Sequence, residues 1–313
     1  MSVPAAFLGV ILIWSTTPLA IQWSSEGAGF LFGVAARMWL GALVCVLFMA
    51  LLRLPLPRHR AALRTYLVAG LGIFGAMSCV YWSAQFIPSG LISVLYGLTP
   101  MVTGVLASLW LEERAFSPAR LFGMLAGLGG LAVIFGRDVG PQQLAVAGML
   151  GVLASVVLHS LSSVWVKRIG ADVPAFAVTG GGLLVAAPLF LISWLLFDGQ
   201  APTALTPRAA YAILYLGLMG SVVGFMLFYY VLRRMAASHL ALVTLVTPVL
   251  ALGLGHVLND EALEARVWLG AGLILTGLVA HQWGDRLLLR GRRRSLVAEP
   301  QPAARRRGVA GPG

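Results

Sequence analysis

The residues able to do chemistry in this chain are few, and they are mostly hydroxyls and aromatics set in long apolar stretches. Ser93, Tyr96, Pro100 and Thr103 recur at spacings of three and four, which places them on one helix face. Ser78, Trp82 and Gln85 share another face, and Trp14 to Thr17 read Trp-Ser-Thr-Thr. Thr244, Thr247 and Pro248 repeat the pattern late in the chain, near Tyr229 and Tyr230. Such groups bind by hydrogen bonds and ring contacts. Singly, each could equally bond back to its own helix or sit in an interfacial aromatic belt.

Ionisable candidates are fewer still. His159, His239, His256 and His281 lie in or beside the apolar stretches, and a histidine titrating near neutral pH can carry a proton. His159 stands among Ser160, Ser162 and Ser163 and is the best placed of them. No two histidines stand at i and i+4, so no zinc site is expected, and no cofactor motif is present. All eleven carboxylates fall in loops or at the ends of apolar stretches. Glu113 and Glu261 there are expected to cap the helices that follow them. Arg37, about two turns into its stretch, can snorkel outward, and a structural hydrogen bond to loop carbonyls is expected ahead of contact with a substrate carboxylate.

The elements that position these residues must be membrane-spanning helices. Residues AVILMFWYC make up 59% of the 313 positions and charged residues 11%, less than half the share of a soluble domain. At about 20 residues per crossing, ten spans fit: Ala5–Gln22, Phe30–Leu52, Tyr66–Phe86, Leu91–Leu111, Arg120–Phe135, Leu144–Val166, Phe176–Phe197, Ala210–Leu232, Leu240–Leu258 and Val267–Leu287. Pro18, Pro100 and Pro248 are expected to bend theirs. Carboxylates at membrane depth mark ion pathways. Their absence from the spans argues against proton coupling through a buried carboxylate and against a site for cationic drugs, leaving a neutral or zwitterionic substrate.

The spans are written twice. Ser89 to Pro100 aligns with Ala237 to Pro248 at a shift of 148 positions, which also matches Gly72 with Gly220, Tyr81 with Tyr229 and Glu113 with Glu261. At a shift of 147, Gly123 and Gly130 meet Gly270 and Gly277. Five spans per copy is an odd number, so the second copy is inverted. The expected fold is all-α integral membrane: ten transmembrane helices as two inverted five-helix repeats, over residues 1–138 and 139–289. A basic tail, residues 290–313, is rich in Arg, Pro, Gly and Ala and is predicted to be disordered.

Basic residues orient the chain. Arg53, Arg58, Arg60, Arg64, Lys167, Arg168, Arg233, Arg234 and the tail arginines fall on one side, while Arg137, Arg208 and Arg266 fall on the other. Both termini are therefore expected in the cytoplasm. The net charge of +11 is topology and contact with anionic headgroups; no nucleic-acid partner is expected. Oligomeric state is unreadable. Cys45 and Cys79 lie in apolar stretches and are expected to be small core residues.

These residues resemble a known family. Leu-Ile-Trp-Ser-Thr-Thr-Pro at Leu12–Pro18, Arg37, Leu-Thr-Pro at Leu98–Pro100, Leu-Glu-Glu-Arg at Leu111–Arg114 and Asn-Asp-Glu-Ala-Leu at Asn259–Leu263 are similar to the ten-helix, EamA-domain members of the drug/metabolite transporter superfamily. One departure stands out: Val157 to Trp165 read Val-Leu-His-Ser-Leu-Ser-Ser-Val-Trp, without a Trp-Ala pair opposite Trp14. The resemblance implies a secondary transporter of the bacterial inner membrane, exporting small amino-acid-like metabolites by alternating access between the repeats. The expected substrate-binding residues are Trp14, Thr17, Ser78, Trp82, Tyr96, Pro100, His159, Ser163, Tyr229, Thr244 and Thr247. The partners are a small-molecule substrate and the lipid bilayer. An integral membrane enzyme is the alternative from a second class, but the spans offer no Asp pair, no Ser with a base and no phosphate loop. A non-transporting scaffold or sensor is the third.

Overall fold

A computed structural model describes residues 2–111, 117–135, 143–234, 243–261, 264–277 and 279–280. Glu113, His239, His281 and the tail 290–313 lie outside the described residues, as does the side chain of Thr244. All regular structure among the described residues is helical: α1 (Val3–Ser25), α2 (Phe30–Leu51), α3 (Arg60–Ser83), α4 (Ser89–Tyr96), α5 (Thr99–Trp110), α6 (Pro118–Phe135), α7 (Gln143–Ile169), α8 (Ala175–Phe197) and α9 (Pro207–Tyr215). A π-helical stretch, Leu216–Val223, joins α9 to α10 (Gly224–Arg234), and α11 (Val243–Asn259) and α12 (Ala265–Gly277) follow.

Among the described residues, seven segments are long and apolar enough to cross a membrane: α1, α2, α3, Ser89–Trp110, Leu144–Ile169, α8 and Pro207–Arg234. Shorter apolar helices occupy Leu121–Gly130, Thr247–Asn259 and Ala265–Gly277.

Two of the longer segments depart from the single straight helix that hydropathy suggests. The fourth breaks at Gly97 and Leu98, so Pro100 does not kink a continuous helix. It sits in the first turn of α5, where a missing N–H costs nothing. The segment Pro207–Arg234 starts under a Thr206 hydroxyl that accepts the Ala209 N–H at 3.1 Å, then widens into the π stretch. Pro18, Pro188 and Pro248 lie inside helices.

The helices pack in matching pairs. α3 lies against α7 and α8, while the segment Pro207–Arg234 lies against α1 and α2. α2 crosses α8, and α4 crosses α11. Where α6 meets α12 the approach is reciprocal. A methyl group at Gly130 would stand 2.6 Å from the Gly270 carbonyl oxygen, and one at Gly277 would stand 2.5 Å from that of Gly123. Only glycine lets the two backbones come that close, from both sides of the crossing at once.

One end of the bundle is tied by a polar layer. The Glu261 carboxylate is 8% exposed and accepts the backbone N–H groups of Ser89 (3.0 Å) and Gly90 (3.2 Å). Asn259 Nδ2 donates to Glu261 and to Gln22 Oε1, and Gln22 Nε2 donates to the Ala84 and Ile87 carbonyls. Glu261 thus caps α4, a helix far away in sequence. Two bare helix-end amides and one buried carboxylate satisfy each other there.

A candidate substrate site among four helices

Near the middle of α1 the Trp14 indole meets rings from two other elements. Its centroid lies 5.1 Å from Phe228 of α10 and 5.9 Å, edge-on, from His159 of α7. His159 in turn lies 5.2 Å from Phe228 and 6.4 Å from Tyr96 at the end of α4. Tyr229 closes the group at 5.3 Å from Phe228. These separations fall in the range of favourable edge and tilted ring contacts. Trp14, Tyr96 and His159, on three different helices, remain half-buried.

Hydroxyls anchor this ring cluster. Ser155 Oγ gives its proton to the Ala76 carbonyl at 2.6 Å, so the Tyr96 hydroxyl is the donor in its 2.5 Å bond to Ser155. Thr103 donates to Ser160 Oγ at 3.0 Å, tying α5 to α7. Thr16 gives its proton to the Ile13 carbonyl and accepts that of Tyr215 at 2.5 Å. Each bond leaves a polar edge within an otherwise apolar wall, the arrangement that orients small ligands.

The fixed charge beside the cluster is Arg37, 1% exposed on α2. It neither snorkels nor reaches loop carbonyls. Its Nε–H donates to Ser221 Oγ at 2.9 Å, and its Cζ lies 6.0 Å from the centre of the Tyr81 ring. Nη2 occupies the space a side chain at Gly220 would need, 3.0 Å from a methyl group there. Ser221 and Gly220 belong to the π stretch, whose register turns them toward α2. The next turn carries Gly224, against which the Trp14 indole nitrogen packs, 3.5 Å from where a methyl group would stand.

The other expected residues are spread more widely. Thr17 and Ser163 bond back to their own helices, to the Ile13 and His159 carbonyls. Ser78 is half-buried on α3, two residues beyond Ala76. Trp82 is not in the ring cluster; it is 37% exposed, packs 5.0 Å from Phe86 and lies over Gly151. Pro100 opens α5, half-buried, and Thr247 is buried on α11. Phe228 and Ser155 were not anticipated. Ser155, His159 and Ser163, four apart on α7, form a polar stripe that could have flagged the serine; a phenylalanine in an apolar helix carries no such signal.

Comparison with known proteins gives this arrangement a family. The model of the EamA-like transporter family matches residues 2–136 and again 146–280. "Uncharacterized transporter YoaV" of Bacillus subtilis is 26% identical over 280 residues, covering 89% of this chain and 96% of that protein. "Probable amino-acid metabolite efflux pump" of Escherichia coli is 25% identical over 288 residues, covering 88% and 93%. "Uncharacterized inner membrane transporter YedA" of Escherichia coli is 25% identical over 278 residues, covering 88% of both chains. A solved crystal structure with 23% identity superimposes at a TM-score of 0.69 over 91% of this chain and 99% of its own, a likeness of fold. The protein is a multi-pass membrane protein with a transporter's role rather than an enzyme's, and it belongs to the EamA-like transporter family.

Proposed function

We propose that the protein is a secondary transporter that exports a small amino-acid-like zwitterion across the bacterial inner membrane, by alternating access between two inverted five-helix repeats. The repeats span residues 1–138 and 139–289, with ten membrane crossings and both termini in the cytoplasm. The observation that carries this reading is the ring cluster in which half-buried Trp14, Tyr96 and His159 meet buried Phe228 and Tyr229, drawn from both halves of the chain. Its rings suit an apolar side chain, and Ser155, Ser160 and Thr103 offer hydroxyls at the same level. Thr17, Ser78, Trp82, Pro100, Ser163, Thr244 and Thr247 would line the path to it.

Inversion is supported by the α6–α12 crossing. Gly123 corresponds to Gly270 and Gly130 to Gly277 in the repeat, and each contacts the counterpart of the other's partner. A two-fold axis in the membrane plane produces such reciprocity, as does the matched packing of α3 and Pro207–Arg234. Alternating access is supported by unequal ends. The polar layer of Gln22, Asn259 and Glu261 ties one, while the other keeps a recess of about 540 Å³ lined by Phe176, Met226, Tyr230, Arg233 and Arg234. The amino-acid class is favoured by the absence of a carboxylate from the described ring contacts and hydrogen bonds of the cluster. The name of the Escherichia coli relative agrees with it.

Counterflow in proteoliposomes tests the proposal. Vesicles loaded with each of a panel of unlabelled amino acids take up the matching labelled compound without any ion gradient. Saturable uptake, reduced at least tenfold in Trp14→Ala and Tyr96→Ala, is the expected result. Uptake only under an imposed proton gradient would contradict uncoupled exchange and point to His159. No uptake across the panel by correctly inserted protein would refute the amino-acid class.

A further inference from the structure

The buried guanidinium of Arg37 is left incomplete by everything described around it. Ser221 takes the Nε–H, but Nη1 is buried with no hydrogen-bond partner. Among the described carboxylates, Glu26 pairs with Arg208, Asp172 with Arg233 and Glu264 with Arg266, and Glu261 caps α4. No described ion pair involves Arg37. A cation at membrane depth without a counter-charge is expensive, and such residues usually face a pathway. A buried charge persists where an anion completes it.

Position says which anion. Arg37 packs on Gly220 and Ser221, and Trp14 packs on Gly224 of the same segment. Four residues, about one turn, separate Gly220 from Gly224, so the guanidinium and the indole pack against neighbouring turns of one segment. We propose that Arg37 is the receptor for the substrate's carboxylate, held by Ser221 so that its Nη1 end meets the anion while the Trp14–His159–Phe228 rings take the side chain. Guanidinium matches carboxylate in charge and in planar, forked geometry, so the contact selects acids over neutral isosteres. The inference rests on the transport reading above, but it can fail separately.

The test uses purified full-length protein and two probes of nearly equal shape, 3-phenylpropionate and 3-phenylpropionamide, with binding measured by calorimetry. The wild type is expected to prefer the acid at least tenfold. Arg37→Gln should bind the two equally, Arg37→Lys should keep part of the preference, and Ser221→Ala should lower acid affinity several-fold while leaving the amide unchanged. Size-exclusion profiles establish that each variant is folded; should Arg37→Gln fail there, Ser221→Ala and Arg37→Lys carry the test. Equal binding by the wild type, no binding of the acid, or a preference that survives in the folded variants would each overturn the proposal. A purely structural Arg37 would lower thermal stability on substitution without moving the acid-to-amide ratio, and that result would overturn it too. If the acid preference holds while no amino acid undergoes counterflow, the substrate class fails and the carboxylate receptor stands.

Discussion

Two crossings in the molecule are built alike and used differently. α2 crosses the segment Pro207–Arg234, and α8 crosses α3. Both rely on glycine for close approach. At the first, a methyl group on Gly217 would stand 2.6 Å from Leu40, and one on Gly41 would stand 3.0 Å from Ser221. At the second, a methyl group on Gly70 would stand 2.5 Å from Val185 and 2.7 Å from the Gly182 carbonyl. Only the first holds a charge. α8 has no ionisable residue at all, whereas α2 sets Arg37 against a hydroxyl. A duplicated scaffold has kept its packing on both sides and its polar chemistry on one. Close packing recurs at both crossings, and the buried charge is found at one.

The largest effect expected from breaking this comparison comes from moving the charge. Val185→Arg would place a guanidinium in mid-span at the glycine crossing, with no Ser221 equivalent across from it. The cost is about 3 kcal/mol, readable as a large fall in unfolding temperature. Next is Gly70→Ala, whose new methyl group meets backbone and a branched side chain that cannot swing away. Overpacking of that kind costs about 1–3 kcal/mol, readable as a fall in unfolding temperature. Gly220→Ala should cost less, about 1 kcal/mol, because its methyl group meets the ends of two flexible side chains, Arg37 at 3.0 Å and Leu216 at 3.3 Å, and no backbone. The smallest stability effect belongs to Arg37→Met, which makes the first crossing resemble the second. Replacing a buried, incompletely paired charge by an apolar chain of similar length should change stability by less than about 1 kcal/mol. Counterflow by this variant should nevertheless be lost, which separates the charge's role in transport from any role in folding.

Much of the frame could be read from hydropathy, because a run of apolar residues reports transfer into lipid whatever its neighbours are. Hydropathy is blind to hydrogen-bond register, however. The break at Gly97 and the π stretch at Leu216–Val223 leave mean apolarity unchanged, so neither shows in a span prediction. The two Thr-Pro pairs illustrate this. Thr99-Pro100 follows a glycine two residues earlier and starts a new helix; Thr247-Pro248 has Leu245 at that position and stays inside α11. Proline alone does not decide the outcome.

The candidate site divides in the same way. Trp14, Tyr96, His159 and Tyr229 could be picked out because polar aromatics are rare in apolar helices, and they lie in one cluster. Arg37 was equally conspicuous, but its burial depends on Gly220 and Ser221, nearly two hundred positions away in the chain, and nothing local to α2 announces them. Thr17 and Ser163 show the converse: a hydroxyl on a helix can satisfy itself one turn back.

The Glu261 contact also bears on how the chain is made. The amides of Ser89 and Gly90 emerge from the ribosome well before the carboxylate that caps them, with α5 to α11 still to be synthesised between the two. Until α11 and the loop beyond it have entered the bilayer, α4 starts with bare N–H groups that only water or lipid headgroups can serve. The first half of the protein is therefore an unfinished object when it leaves the translocon, and its final seating is a late event set by the C-terminal helices.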